Sequence, residues 1–94
     1  MLSKIPIDLE KTDEKDIDRE ILRAGIIAEL DAINLYEQMA ALAKDKSIKA
    51  ILLDVAKEEK THVGEFQALL LNRDKQQVEE MEAGKEEVKE EVGE

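Results

Sequence analysis

The sequence predicts an all-α fold: an antiparallel two-helix hairpin that dimerises with a second copy of itself into a four-helix bundle. Three observations lead there. Two long stretches carry apolar residues at helical spacing with almost nothing to break them, and one short polar turn joins them. The apolar faces are also broader than one hairpin can cover. At 94 residues and without cysteine, the chain has room for one domain and no disulfide to hold it. Small chains of this kind lean on a metal or on self-association instead.

Residues 1–12 contain the only proline, Pro6, and alternate Ile5, Ile7 and Leu9. They read as an extended N-terminal arm. Residues 13–83 are expected to hold the helical hairpin and a short C-terminal helix. Thr12 or Asp13 is placed to cap the first helix, with Glu14 and Asp16 in its positive first turn. That helix runs to about Lys44 with a tolerated Gly25. Its apolar residues fall on two neighbouring stripes, one through Ile17, Ile21, Ala28, Leu35 and Met39, the other through Leu22, Ile26, Ile33, Tyr36 and Ala40.

The run Lys44-Asp45-Lys46-Ser47 is a polar turn in which Asp45 or Ser47 can cap the second helix. So short a connection makes that helix an antiparallel neighbour of the first. It extends from about Ile48 to Leu71, and its central stripe is Ile48, Leu52, Val55, Glu59, His62, Phe66 and Leu69. Asn72-Arg73-Asp74 reads as a break. A weaker helix anchored by Val78 and Met81 then ends near Gly84. Residues 84–94 carry only Val88 and Val92 among charges, and read as an acidic tail or linker. The alternative is a helix that folds against a partner surface.

With 24 acidic residues against 14 basic, the net charge is −10. Such a surface repels phosphate backbones and attracts cations, so nucleic acid is not an expected partner. No apolar run approaches the roughly 20 residues a membrane span needs, and the N-terminus lacks a signal-peptide core. A cytoplasmic protein without a membrane partner is expected.

Chemistry is expected where charge interrupts the apolar stripes. Glu29 lies between Ile26 and Ile33 in the first helix, and Glu59 and His62 lie between Val55 and Phe66 in the second. A buried, unpaired carboxylate is costly unless a cation or an ion pair compensates it. Glu59 and His62 are three apart and point the same way from one helix. Together they offer a hard oxygen and a borderline nitrogen, a set suited to iron, manganese or zinc. Glu29 stands about as far before the turn as Glu59 and His62 stand after it, so an antiparallel hairpin brings all three level.

Ion-pair alternatives exist for each group: Lys57 or Lys60 for Glu29, and Glu58 or Glu65 for His62. Tyr36, two turns from Glu29 on the same side, is either an amphipathic core residue or a group beside the metal. Di-metal carboxylate sites of ferritin-like bundles take one Glu from each of two helices and a Glu-x-x-His motif from each of the other two. This chain supplies half of that set. Two copies about a two-fold axis would complete it and cover the exposed apolar faces.

At the segments GIIAELDAINLYEQ (Gly25 to Gln38) and KEEKTHVGEF (Lys57 to Phe66) the sequence resembles the encapsulated ferritins, which are housed in encapsulin nanocompartments. The resemblance covers roughly residues 15–82. It implies that Glu29, Glu59 and His62 bind iron at a di-iron ferroxidase centre sandwiched between two subunits, with Tyr36 beside it as a further catalytic residue. It also implies that Asp31 is a metal-attracting acid, although Ala28 stands where some members carry an acidic residue. By the same resemblance the partners are further copies, as a homodimer assembling into a ring of ten, and an encapsulin shell protein. The shell would hold the stored iron, and the chain would sit inside the nanocompartment.

The expected reaction is oxidation of Fe²⁺ to Fe³⁺ by dioxygen or peroxide, with iron as the metal shared between two subunits. Two rivals stand beside it: a non-catalytic acidic helical adaptor, and a passive binder of divalent metal.

Overall fold

The computed structural model describes residues 8–94, and within them the chain forms a short 3₁₀ turn and three α-helices. Asp8 accepts a hydrogen bond from the Glu10 amide, and the Thr12 hydroxyl donates back to the Asp8 carbonyl, which closes the 3₁₀ turn Leu9–Lys11. Residues 1–7 of the expected arm lie outside the described residues.

Helix α1 spans Ile17–Leu42, so it starts one turn later than the predicted Thr12 or Asp13 cap. Thr12 is committed to the preceding 3₁₀ turn. The residue at the N-cap, Asp16, pairs with Arg19 and makes no capping hydrogen bond of its own. The chain leaves α1 at an extended Ala43 and enters α2, Lys46–Leu71, through Asp45. The Asp45 carboxylate accepts from the amides of Ser47 at 2.8 Å and Ile48 at 3.0 Å. This satisfies two donors that a helix start leaves bare, an effect of about 1 kcal/mol. At 26 residues each, the two helices are about 39 Å long and lie antiparallel along their whole length.

Among the described residues, Ile33, Ala40, Ala56 and Leu70 form the buried apolar core between them. Close approach comes from Gly25. A β-carbon there would stand 3.3 Å from the Phe66 ring, so the missing side chain is what lets that ring lie against α1. Large apolar side chains remain exposed at both helices, Leu42, Ile51 and Ile48 most of all. This is the sequence-predicted excess of apolar surface over what one hairpin can cover.

The break at residues 72–74 is where the sequence places it. The Arg73 guanidinium donates to the Leu69 carbonyl at 2.9 Å and closes the end of α2. Asp74, almost fully buried, accepts from the Gln77 amide at 3.0 Å and from Arg23 of α1 at 2.9 Å. It thereby caps α3 and ties it to the hairpin. Helix α3 runs Lys75–Val92, past the expected end near Gly84, and stops at Gly93 in the left-handed conformation. Residues 85–92 are therefore helical. Glutamate and lysine are strong helix formers, nothing crowds Gly84, and an exposed helix needs few apolar anchors once its start is capped. Among the described residues no helix is long and apolar enough to cross a membrane.

The amide of Gln77, with Arg23 reinforcing it, holds the Asp74 carboxyl below its ordinary value of 3.8, against the opposing effect of burial. A group lowered in this way stabilises the fold fully above its unfolded value, and that stability is lost as pH falls through the depressed one. Asp74→Asn retains an N-capping side chain but not the charge. In urea melts the wild type is expected to exceed Asp74→Asn by a constant margin above about pH 5. Below the ordinary carboxyl value the two curves should converge. A margin that persists undiminished into strong acid would contradict this role.

Candidate metal centre

Glu29 belongs to the stripe of α1 that faces α2, between Ile26 one turn before it and Ile33 one turn after. Glu59 and His62 occupy the matching stripe of α2. The capped turn at Asp45 sets the register of the two helices, and that register brings the three side chains level. The close approach of Gly25 and Phe66 sits one turn before Glu29 and one turn after His62, so the helices are drawn together beside the group.

The Nδ1 of His62 lies 3.5 Å from Oε2 of Glu29 and 3.4 Å from Oε2 of Glu59. One ligand atom from each of the three residues falls within 4.8 Å of the others. These separations are long for direct hydrogen bonds. They suit atoms arranged about a common ion, because two ligands about 2.1 Å from a metal stand roughly 3 Å apart at right angles.

The electrostatics point the same way. The Glu29 and Glu59 side chains are only 19% and 18% exposed. Oε2 of Glu29 is buried without a hydrogen-bond partner. Among the described residues no lysine or arginine forms an ion pair with either carboxylate. Lys60, one of the predicted alternatives for Glu29, instead binds Glu37 at 3.1 Å on the exposed side of the hairpin. His62 turns to Glu29 and Glu59, not to Glu58 or Glu65. Two carboxylates and an imidazole with an orphaned oxygen fit a divalent first-row metal.

Tyr36 is half-buried on the Glu29 side of α1, about 10 Å further along the axis. Asp31 lies outside the three-residue group. It is two residues from Glu29, and therefore roughly 200° around the helix. The sequence pattern did not single out Gly25 as a packing residue; the signal available was a small residue opposite the chain's only phenylalanine.

The centre is open on one side. His62 remains 45% exposed. Val55, Ile51 and Leu69 share its side of α2 at spacings of seven and eleven residues. Leu69 borders a cleft with Ile21 of α1, which places the Ile21 and Met39 side of α1 on the same face of the hairpin. Ile21, Met39, Ile51 and Leu69 are all exposed. The three ligands thus look out through an apolar face, with part of any coordination sphere left to groups from elsewhere.

A family model described as EncFtn-like matches residues 5–84. The chain is 60% identical, over 95 residues, to a protein of Pyrococcus furiosus named ferritin-like-encapsulin shell fusion protein. That match takes in 99% of this chain and 28% of the relative, so the chain spans little more than a quarter of that protein's length. It is also similar to the crystal structure of the encapsulated ferritin domain from Pyrococcus furiosus. The TM-score is 0.86 at 58% identity, with 100% of this chain and 98% of that one covered.

An orphaned carboxylate is a cost to the metal-free protein. Glu29→Leu, measured in chelator at fixed protein concentration, is expected to raise the urea midpoint, by about 1–3 kcal/mol in stability. Destabilisation by the same change would mean that the carboxylate is already satisfied without metal.

Proposed function

Because the chain belongs to the EncFtn-like family, we propose that it is one half of a ferroxidase. In this reading two copies pair about a two-fold axis, bind two ferrous ions between them and release ferric iron for storage. The observation that carries it is the buried, partnerless Oε2 of Glu29 facing Glu59 and His62.

The ligand count supports pairing. One Glu and one Glu-x-x-His make half the set of a ferritin-like di-metal centre, and a two-fold axis beside His62 doubles it. The exposed face of Ile21, Met39, Ile51 and Leu69 supplies the driving force: complete burial of a fully exposed side chain of this kind is worth about 1.5–3 kcal/mol, and these, 36–64% exposed, gain a part of it.

Iron is the substrate. Each Fe²⁺ gives up one electron. Dioxygen takes two electrons and two protons and leaves as hydrogen peroxide, which can itself oxidise further ferrous iron. Glu29 and Glu59 favour this direction because hard anionic oxygens stabilise the more highly charged product. His62 contributes a neutral nitrogen donor and fixes geometry from the rigid α2. Tyr36, on the Glu29 side of α1 and about 10 Å along its axis, is read as a polar group near the centre that can help orient its ligands. Asp31 adds negative charge that draws cations toward the site.

The name of the Pyrococcus furiosus relative couples a ferritin-like domain to an encapsulin shell. We place this chain in the same setting, as a ring-forming oligomer in a cytoplasmic nanocompartment whose shell keeps the ferric product. The adaptor reading finds less support, because Lys60, one of the two lysines it would use for Glu29, is engaged by Glu37, and among the described residues no ion pair joins Lys57 to Glu29.

Aerobic oxidation of Fe²⁺ tests the proposal. Wild type is expected to outpace buffer, and His62→Ala or Glu59→Ala to slow the rate at least about tenfold by removing a ligand. Wild type that binds iron yet oxidises it no faster than buffer would reduce the protein to a passive metal binder.

A further inference from the structure

Three glycines stand inside helices, Gly25 in α1, Gly64 in α2 and Gly84 in α3, and none of them has a positive φ. Backbone conformation therefore requires glycine at none of the three, and each weakens its helix relative to alanine. Around Gly64 and Gly84 there is open space. Gly25 differs. A β-carbon on it would meet Cδ2 and Cε2 of Phe66 at 3.3 Å and Cγ at 3.5 Å. Non-bonded carbon atoms rest at about 3.5–4.0 Å, so there is no room for a methyl group.

Three neighbouring ring carbons at nearly equal distances place the face of the ring, not its edge, over the bare backbone of α1. A phenyl ring is a flat, rigid body. An unbranched side chain such as methionine would adapt its shape to the gap, whereas the ring holds a fixed thickness between the helices.

This contact borders the metal centre. Gly25 precedes Glu29 by four residues and Phe66 follows His62 by four, one helical turn in each case. On the other side, Ile33 four residues after Glu29 and Ala56 three before Glu59 are both buried. The ligands thus lie between two tightly packed places in the hairpin. Glu29 comes from one helix, and Glu59 and His62 from the other, so the separation of the helices sets the separation of the ligands. Coordination bonds hold their lengths to about 0.2 Å. A methyl group at position 25 would force the ring or the helix to give by a few tenths of an ångström, which is as large as that tolerance.

We propose that Phe66, lying on Gly25, is a positioning residue for the metal centre: its ring sets the helix separation at which Glu29 shares one ion with Glu59 and His62. Phe66 acts through α2, and Gly25 is the small residue that this role requires. The inference rests on the reading of the three residues as metal ligands, and is independent of whether bound iron is oxidised.

Cobalt(II) is the probe, because its visible absorption reports the geometry of a nitrogen–oxygen site as well as its occupancy. Wild type, Gly25→Ala, Phe66→Leu and the double variant are titrated with Co²⁺, after circular dichroism has checked their helix content. Gly25→Ala is expected to bind about tenfold more weakly, the loss that follows when the support of a ligand is disturbed, and to show an altered absorption band at saturation. Phe66→Leu should weaken binding severalfold. In the Phe66→Leu background, Gly25→Ala should cost less than about twofold, since the ring it would collide with is gone. A contact that only stabilised the fold would change the urea midpoint and leave the band of the saturated site as in wild type. Wild-type affinity and an unaltered band in Gly25→Ala would overturn the proposal. So would a loss of equal size with and without the ring. Should Gly25→Ala fail to fold, unchanged Co²⁺ binding in Phe66→Leu would overturn it by itself. Wild type that takes up no Co²⁺ would remove the metal reading and this inference together, whereas failure to oxidise iron in a protein that binds Co²⁺ would count against the ferroxidase reading alone.

Discussion

The structure is organised around one electrostatic constraint: a carboxylate placed on the apolar side of a helix with no lysine or arginine among the described residues paired to it. Glu29 sits among residues that face α2, and Oε2 of its carboxylate is buried without a hydrogen-bond partner. The groups nearest to it are another carboxylate and an imidazole, not a lysine. Water or a surface cation would satisfy the charge at lower cost if stability alone shaped the site. That the side chains converge instead, at separations suited to a shared ion, is what gives the hairpin its functional reading.

The rest of the fold serves that convergence. The Asp45 cap and the short turn fix the register in which Glu29 meets Glu59 and His62. Gly25 admits the Phe66 ring against α1 one turn away, and keeps the two helices close where the ligands must meet. Asp74 then locks α3 to α1 through Arg23, so the arm has a defined direction relative to the centre. With four buried apolar residues among those described, a single chain gains little from its own core. Surface left exposed on the face of His62, at the tip and along α3 is what assembly can bury. If metal binds only when two copies are paired, binding and association stabilise one another.

Much of this was legible in the sequence because helices and ligand motifs are local. The stripes, the polar turn and the Glu-x-x-His spacing depend on residues within one or two turns of each other, and the hairpin is their consequence. The three-residue group then needed only an antiparallel register, which the turn supplies. What escaped was set by competition or by contact across the fold. The start of α1 shifted because Thr12 is held in the preceding 3₁₀ turn by its bond to the Asp8 carbonyl. Composition made residues 85–94 look like a tail, since the pattern of charges does not reveal that Asp74 caps a helix leading into them. Gly25 looked merely tolerated until Phe66 was seen against it. Asp31 was named by resemblance alone, and it lies outside the group formed by Glu29, Glu59 and His62.

The most direct test is anomalous diffraction at the iron edge from crystals grown with ferrous iron. Two anomalous peaks beside a two-fold axis, each within bonding distance of Glu29, Glu59 and His62 side chains drawn from both copies, are the expected result. Absence of iron from that position, or ligation completed wholly within one chain, would contradict the account.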